Sequence, residues 1–289
     1  MSAGTKKLYM DNGALRQHMS KIVRVTPTSS LPEADRALVK DPAVDDLALV
    51  TDETIFYVQG GGQPADTGVI RPYVDDSLKS MEEDKKEEVS FRVTSVRYPS
   101  AGHEILHFGH FAPRLPHNNN NSPIPFAPPL PILQQIDSAK RDLHSRLHTA
   151  GHILGLAINT LSAEGVLPTD LVESKASHYP DSAAVEFVGL IDGVHKAAIQ
   201  KRTDEFVASG AGVRIHYWSL ADVMSKCSGV ADGFGLPDGE ERARVVEIVG
   251  LGAYPCGGTH VEDCKLVGGI EVRKIARSKG VSRVSYRVL

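Results

Sequence analysis

A chain of 289 residues, 41% hydrophobic and 24% charged, is long enough to bury two separate cores, and no apolar run in it reaches the roughly 18 residues that a membrane span needs. The net charge of −4 argues against a general nucleic-acid coat, although Arg273, Lys274, Arg277, Lys279, Arg283 and Arg287 crowd the last stretch against one acid, Glu271. Three cysteines, Cys227, Cys256 and Cys264, do not make a disulfide framework, and the opening residues lack the apolar stretch of a secretory signal, so a soluble cytoplasmic protein is expected.

In chain order, β-formers cluster between turn residues at 20–25, 47–51 and 54–58, and a compact β-domain follows from them. Residues 91–98 alternate, Pro99-Ser-Ala-Gly breaks the pattern, and 103–111 can return as the hairpin partner. The run from Asp75 through Glu88 is mainly acidic and reads as a solvated loop. Pro113, Pro116, the asparagines 118–121 and further prolines cannot sustain a helix or a central strand, so 112–132 reads as a linker or insertion.

Beyond it, 136–161 carries helical spacing, with Leu143, Leu147, Ile153, Leu154 and Ala157 on one face. Strands are expected at 183–187, 213–218, 245–249, 269–275 and 283–288, with a helix at 194–208. Long helices on a mostly antiparallel sheet give an α+β class, with a β-domain over 1–111 and an α/β domain over 133–289.

Two short patterns point to a metal. On a helix His148 and His152 stand one above the other, and His144 extends the series a turn earlier; alone, such a stripe is equally a polar helix face. Cys256-Gly-Gly-Thr-His260 then offers a thiolate and an imidazole across two glycines that permit a tight turn. Two nitrogens from a helix with one sulfur and one nitrogen from a loop form a set typical of zinc, one ion per chain. A competing pattern, His103-Glu104-Ile105-Leu106-His107, has the metalloprotease spacing but works only on a helix. Gly102, Gly109 and Pro113 and the neighbouring alternation favour a strand, in which residues four apart lie about 13 Å apart.

Three further features each carry two readings. The stretch Gly60-Gly61-Gly62-Gln63-Pro64-Ala-Asp66-Thr67-Gly68 is either a turn-rich loop or a cradle whose backbone amides and Gln63 approach a ligand; it lacks the Walker ending. The stretch with Lys274, Arg277, Lys279 and Arg283 is either a charged edge strand or a phosphate contact. Cys264 is expected as a small buried thiol, with ligand exchange as its other use.

Taken in order, Lys7-Leu8-Tyr9, Phe56-Tyr57 before the glycine-rich stretch, His148-Thr-Ala-Gly-His152 and Cys256-Gly-Gly-Thr-His-Val-Glu262 resemble the AlaX family, free-standing relatives of the editing domain of alanyl-tRNA synthetase. The resemblance implies an N-terminal β-barrel-like domain and a two-layer editing domain. It implies an aminoacyl-tRNA deacylase that hydrolyses alanine-specific tRNA mischarged with serine, and sometimes with glycine, with that tRNA as partner and neither membrane nor obligate protein partner. The runs near 75–88 and 112–131 look like insertions in that pattern. On this reading Gln63 and Thr67 are the candidate catalytic residues, while Gly60, Gly61, Gly62, Asp66, Ser174 and Ser177 contact substrate. A zinc-stabilised module that binds tRNA without hydrolysis is the alternative.

Overall fold

The computed structural model describes residues 4–73, 89–113, 126–231, 233–236 and 239–289, so the acidic run and most of the Pro/Asn-rich segment lie outside the described residues. The chain divides into two compact units, Met1–Gln59 with Ala65–Arg141, and Gly60–Pro64 with Asp142–Leu289.

The first unit contains β1 (Lys6–Lys7), β2 (Gln17–Pro27), the single turn α1 (Glu33–Arg36), β3 (Leu47–Thr51), β4 (Glu53–Thr54), β5 (Gly68–Pro72), β6 (Ser90–Arg97), β7 (Leu106–Ala112) and β8 (Pro131–Ile136). Six of these close an antiparallel barrel in the order β2-β3-β7-β6-β5-β8. Closure removes both sheet edges, so every barrel strand has two partners. The inward set includes Phe91, Val93 and Val96, and the change of parity from odd to even falls where β6 bulges between Val93 and Ser95. At that point a Cβ on Gly109 would lie 1.8 Å from the Arg92 carbonyl, so only glycine lets β7 approach β6 there. Strand β8 pairs with β2 and β5, so the chain re-enters the barrel after the Pro/Asn-rich segment.

The strand expected over 54–58 stops at Thr54. Ile55, Phe56, Tyr57 and Val58 are buried but lie in no strand among the described residues; Gln134 Oε1, Thr54 Oγ1 and Asp66 Oδ2 accept the backbone N–H groups of Ile55, Phe56 and Tyr57 at 3.0, 3.1 and 2.7 Å. Side chains stand in for a sheet neighbour, which β-propensity does not register.

The second unit begins within α2 (Ser138–Ala163) and continues with β9 (Val172–Ser177), β10 (Ala184–Val188), α3 (Lys196–Ser209), β11 (Val213–Trp218), α4 (Leu220–Lys226), β12 (Ala243–Ile248), β13 (Gly252–Pro255), β14 (Ile270–Ser278) and β15 (Val281–Val288). It holds two antiparallel sheets, β14-β15-β10-β9 and β11-β12-β13, and with the helices makes the chain α+β. The expected helices and strands over 136–288 are all present, with ends moved by a few residues; β9, α4 and β13 are additional. The apolar face of α2, from Leu147 through Ile153, Leu154 and Ile158 to Leu161, packs with Val185, Phe187, Val284 and Tyr286 of the four-stranded sheet. Tyr286 fixes this packing by donating its hydroxyl to the Leu147 carbonyl at 2.9 Å. No helix among the described residues is long and apolar enough to cross a membrane.

Candidate metal centre

His148 and His152 lie one turn apart on α2, and the loop after β13 brings Cys256 and His260 to them, so that one ligand atom from each of the four lies within 4.8 Å of the others. Cys256 Sγ is 3.5 Å from His148 Nε2 and 3.3 Å from His260 Nε2. The pairing of the two short histidine-containing patterns is therefore realised in space, and the cluster can hold a metal ion.

The neighbours of the imidazoles set their tautomers. Gln63 Oε1 accepts from the Thr259 backbone N–H at 3.1 Å, which fixes the amide orientation, and it therefore also accepts the His148 Nδ1 proton at 2.7 Å. The remaining Gln63 capacity goes to Thr259, whose hydroxyl accepts from Nε2 at 2.9 Å. Thr149 works likewise for His260: its hydroxyl donates to the Ser145 carbonyl at 2.9 Å, so it accepts from His260 Nδ1 at 3.1 Å and from the Val261 N–H at 3.2 Å. Both histidines thus turn an unprotonated Nε2 toward Cys256, as second-layer hydrogen bonds do around metal sites. His152 keeps its Nδ1 buried with no hydrogen-bond partner among the described residues.

Burial, reinforced by neighbouring imidazoles and Arg244, holds His148, His152 and His260 well below the usual imidazole range, which keeps them neutral and able to ligate. Burial raises the Cys256 thiol, against a lesser lowering by the Gly258 N–H and Arg244; a bound cation favours the thiolate. An orphaned imidazole nitrogen, two oriented imidazoles and one thiol suit zinc chemistry.

Beside the cluster lies a cavity of about 400 Å³, whose lining includes Gly61, Gly62, Glu173, Ser174, His178 and Tyr254. Gly62 has φ +76°, and a Cβ there would stand 2.5 Å from the Ala176 carbonyl; its own carbonyl accepts from the His178 N–H at 2.8 Å. The stretch 60–64 is thereby a tight turn, bridged Gly60 to Gln63, laid against β9 and the residue after it.

Of the candidate substrate residues, Gly61, Gly62 and Ser174 line this cavity, and Gly60 supports the turn. Gln63 is fully buried and spends both ends of its amide on His148 and Thr259. Ser177 pairs with Ala184 in the sheet. Asp66 and Thr67 belong to the first unit: Asp66 is buried against Arg141 and the Tyr57 N–H, and Thr67 accepts from Lys140 at 3.1 Å. On the β14–β15 hairpin, Arg277 pairs with Asp192 at 3.2 Å and Arg283 with Glu186 at 2.6 Å, whereas Lys274 and Lys279 are exposed.

The competing pattern resolves differently. His107 sits on β7, buried, with Nε2 at 2.8 Å from Thr54 Oγ1 and Nδ1 at 3.0 Å from the Leu49 carbonyl, and Glu104 pairs with Arg24. It is a satisfied core histidine in a strand. Cys264 is buried in the core of the second unit, where desolvation pushes its thiol up to about 11.

Sequence reasoning missed Glu173, His178 and Tyr254. His178 stacks on His148 with ring centroids 4.1 Å apart and lies 2.7 Å from the Tyr286 hydroxyl. A Cβ on Gly151 would stand 2.4 Å from the His178 ring, so the glycine inside His148-Thr-Ala-Gly-His152 is there to admit it. The proximity of Glu173 to Ser174 and of His178 to Ser177 was the available signal.

No family model matches the chain. It is 26% identical to the alanyl-tRNA editing protein AlaX-M of Methanosarcina barkeri over 255 residues, covering 86% of this chain and 91% of that protein. It is 26% identical to AlaX-L, an alanyl-tRNA editing protein of Pyrococcus horikoshii, over 284 residues, covering 97% of this chain and 57% of that protein. Similarity extends to the alanine–tRNA ligase of Methanosphaera stadtmanae, 27% identical over 251 residues, of which this chain spans only 24% while 85% of its own length is covered.

Proposed function

We propose that the chain is a member of the AlaX family of alanyl-tRNA editing proteins, to which it is similar over most of its length, and that it is a trans-acting deacylase that hydrolyses the ester of alanine-specific tRNA mischarged with serine, and secondarily with glycine. The observation that supports this reading most is the four-residue cluster opening on a cavity of about 400 Å³, a volume within the range of small-molecule sites. A synthetase pocket for alanine rejects a side chain that adds only a hydroxyl by about 10², so a second site has to remove the error.

In this reading His148, His152, Cys256 and His260 hold zinc, which when bound supplies a positive charge beside the ester. Gln63 and Thr149 keep two imidazoles in the ligating tautomer. The glycine turn leaves room for the aminoacyl end against β9, where Ser174 is the best-placed of the hydroxyls expected to read the serine side chain. A site that hydrogen-bonds that hydroxyl leaves its own polar group unpaired when alanine enters, which is the asymmetry a second sieve needs. Lys274, Arg277, Lys279 and Arg283 contact tRNA phosphates.

Incubation of the purified protein with alanine-specific tRNA carrying serine or alanine tests the proposal. Release of serine with alanine retained is expected; binding of both with neither ester cleaved favours the non-catalytic tRNA-binding module instead.

A further inference from the structure

Among the described residues the cavity beside the cluster is lined by one acid, Glu173, and one lysine, Lys175, both on β9. Glu173 Oε2 accepts from the Tyr254 hydroxyl at 2.8 Å and from Asn159 Nδ2 at 3.4 Å, both neutral donors, and among the described residues no cation is paired with it. The fold makes room for this arrangement. A Cβ on Gly155 of α2 would stand 2.5 Å from the Tyr254 oxygen and 2.9 Å from Glu173 Oε2. The Tyr254 ring in turn lies against His152, with centroids 4.4 Å apart, so the carboxylate is one side chain away from a member of the cluster.

A desolvated carboxylate held only by neutral donors is costly unless a positive charge is brought against it. Lys175, two residues along β9, lines the same cavity but makes no ion pair with Glu173 among the described residues. An aminoacyl ester brings its α-ammonium on the carbon bonded to the ester carbonyl, so a carbonyl held at the cluster places that ammonium about one group away.

We propose that the Glu173 carboxylate binds the α-ammonium of the aminoacyl ester, so that the site takes free aminoacyl esters and spares those whose amino group is acylated, such as peptidyl-tRNA. This rests on the deacylase reading above. In the absence of a cation, burial pushes the Glu173 carboxyl up to about 7, and an ammonium partner brings it back down.

The test uses two non-hydrolysable amides of 3′-amino-3′-deoxyadenosine, one seryl and one glyceryl, in which a hydroxyl replaces the ammonium. Titration calorimetry on the zinc-loaded wild type is expected to show the seryl amide binding about tenfold more tightly, the scale of one charge-assisted hydrogen bond. In Glu173→Gln, which can still accept from Tyr254, the difference falls below about twofold with zinc content unchanged. Equal binding of both amides by the wild type, or failure to bind either, overturns the assignment without relying on any variant. Loss of zinc from Glu173→Gln also overturns it, because the carboxylate then serves the ion. Hydrolysis of seryl-tRNA without an amide preference removes only the ammonium site; an amide preference without hydrolysis removes only the deacylase reading.

Discussion

His148 Nδ1 donates to Gln63 Oε1 at 2.7 Å, a bond across 85 positions that ties the glycine-rich turn to the metal centre. Gln63 thereby determines which imidazole nitrogen faces Cys256, and its substitution is expected to act on the candidate metal ligands before it acts on any substrate.

Gln63→Leu is expected to lower zinc affinity about 10–100-fold, the usual effect of losing a hydrogen bond behind a ligating histidine. Competition against a chromophoric chelator measures it. Unchanged affinity in a folded variant removes Gln63 from the orientation of His148.

Cys256→Ala and His152→Ala are expected to lose stoichiometric zinc in elemental analysis. Chelation should lower the melting temperature of the wild type and leave that of Cys256→Ala unmoved, because a ligand that binds only the folded state stabilises it by mass action.

Gly258→Ala places a Cβ 2.1 Å from the His148 ring and 3.0 Å from Gln63 Oε1, against packed groups on both sides. A loss of about 1–3 kcal/mol, with reduced zinc content, is expected from such overpacking. Gly193→Ala, whose Cβ meets nothing within 4 Å, is the control and should leave both unchanged.

Burial holds His107 down to about 4, below the ordinary value of 6.5 that it regains on unfolding. Between these values the unfolded chain binds more protons, so this histidine's contribution is complete above about pH 6.5 and is lost as pH falls through 4, a change of order 3 kcal/mol. Denaturant titrations at several pH values should show a shallower acid slope in His107→Gln than in the wild type. Replacing His103 and His107 together should leave zinc content as it is; loss of metal would return the protease spacing to consideration.

On the proposed reading the exposed cations of the β14–β15 hairpin act in tRNA affinity and not in chemistry. Lys274→Ala with Lys279→Ala is expected to weaken tRNA binding and to reduce its salt slope by about 1 for each phosphate that is no longer neutralised. An unchanged slope would make the hairpin an ordinary charged edge.

How much of this was legible beforehand depends on the distance over which each group is satisfied. The helix over 136–161 and the strand over 213–218 were readable because their periodicity is local, and the former appears as Ser138–Ala163. The apolar run 54–58 misled because its buried backbone is satisfied by Gln134 and Asp66, which no local pattern reveals. Strand β8 was overlooked because prolines precede it, although only its first residue is a proline.

Residue identity alone made a metal site legible: the helical spacing of His148 and His152 and the Cys256–His260 turn are local facts, and nitrogen and sulfur donors in that pattern suit a metal ion. The tertiary structure decided what surrounds them. It placed Gln63 behind His148, gave Asp66 to Arg141, and brought Glu173, His178 and Tyr254 to the cavity. A side chain's partners across a core depend on strand register and helix packing, and those are set by the sum of many burials that no single motif carries.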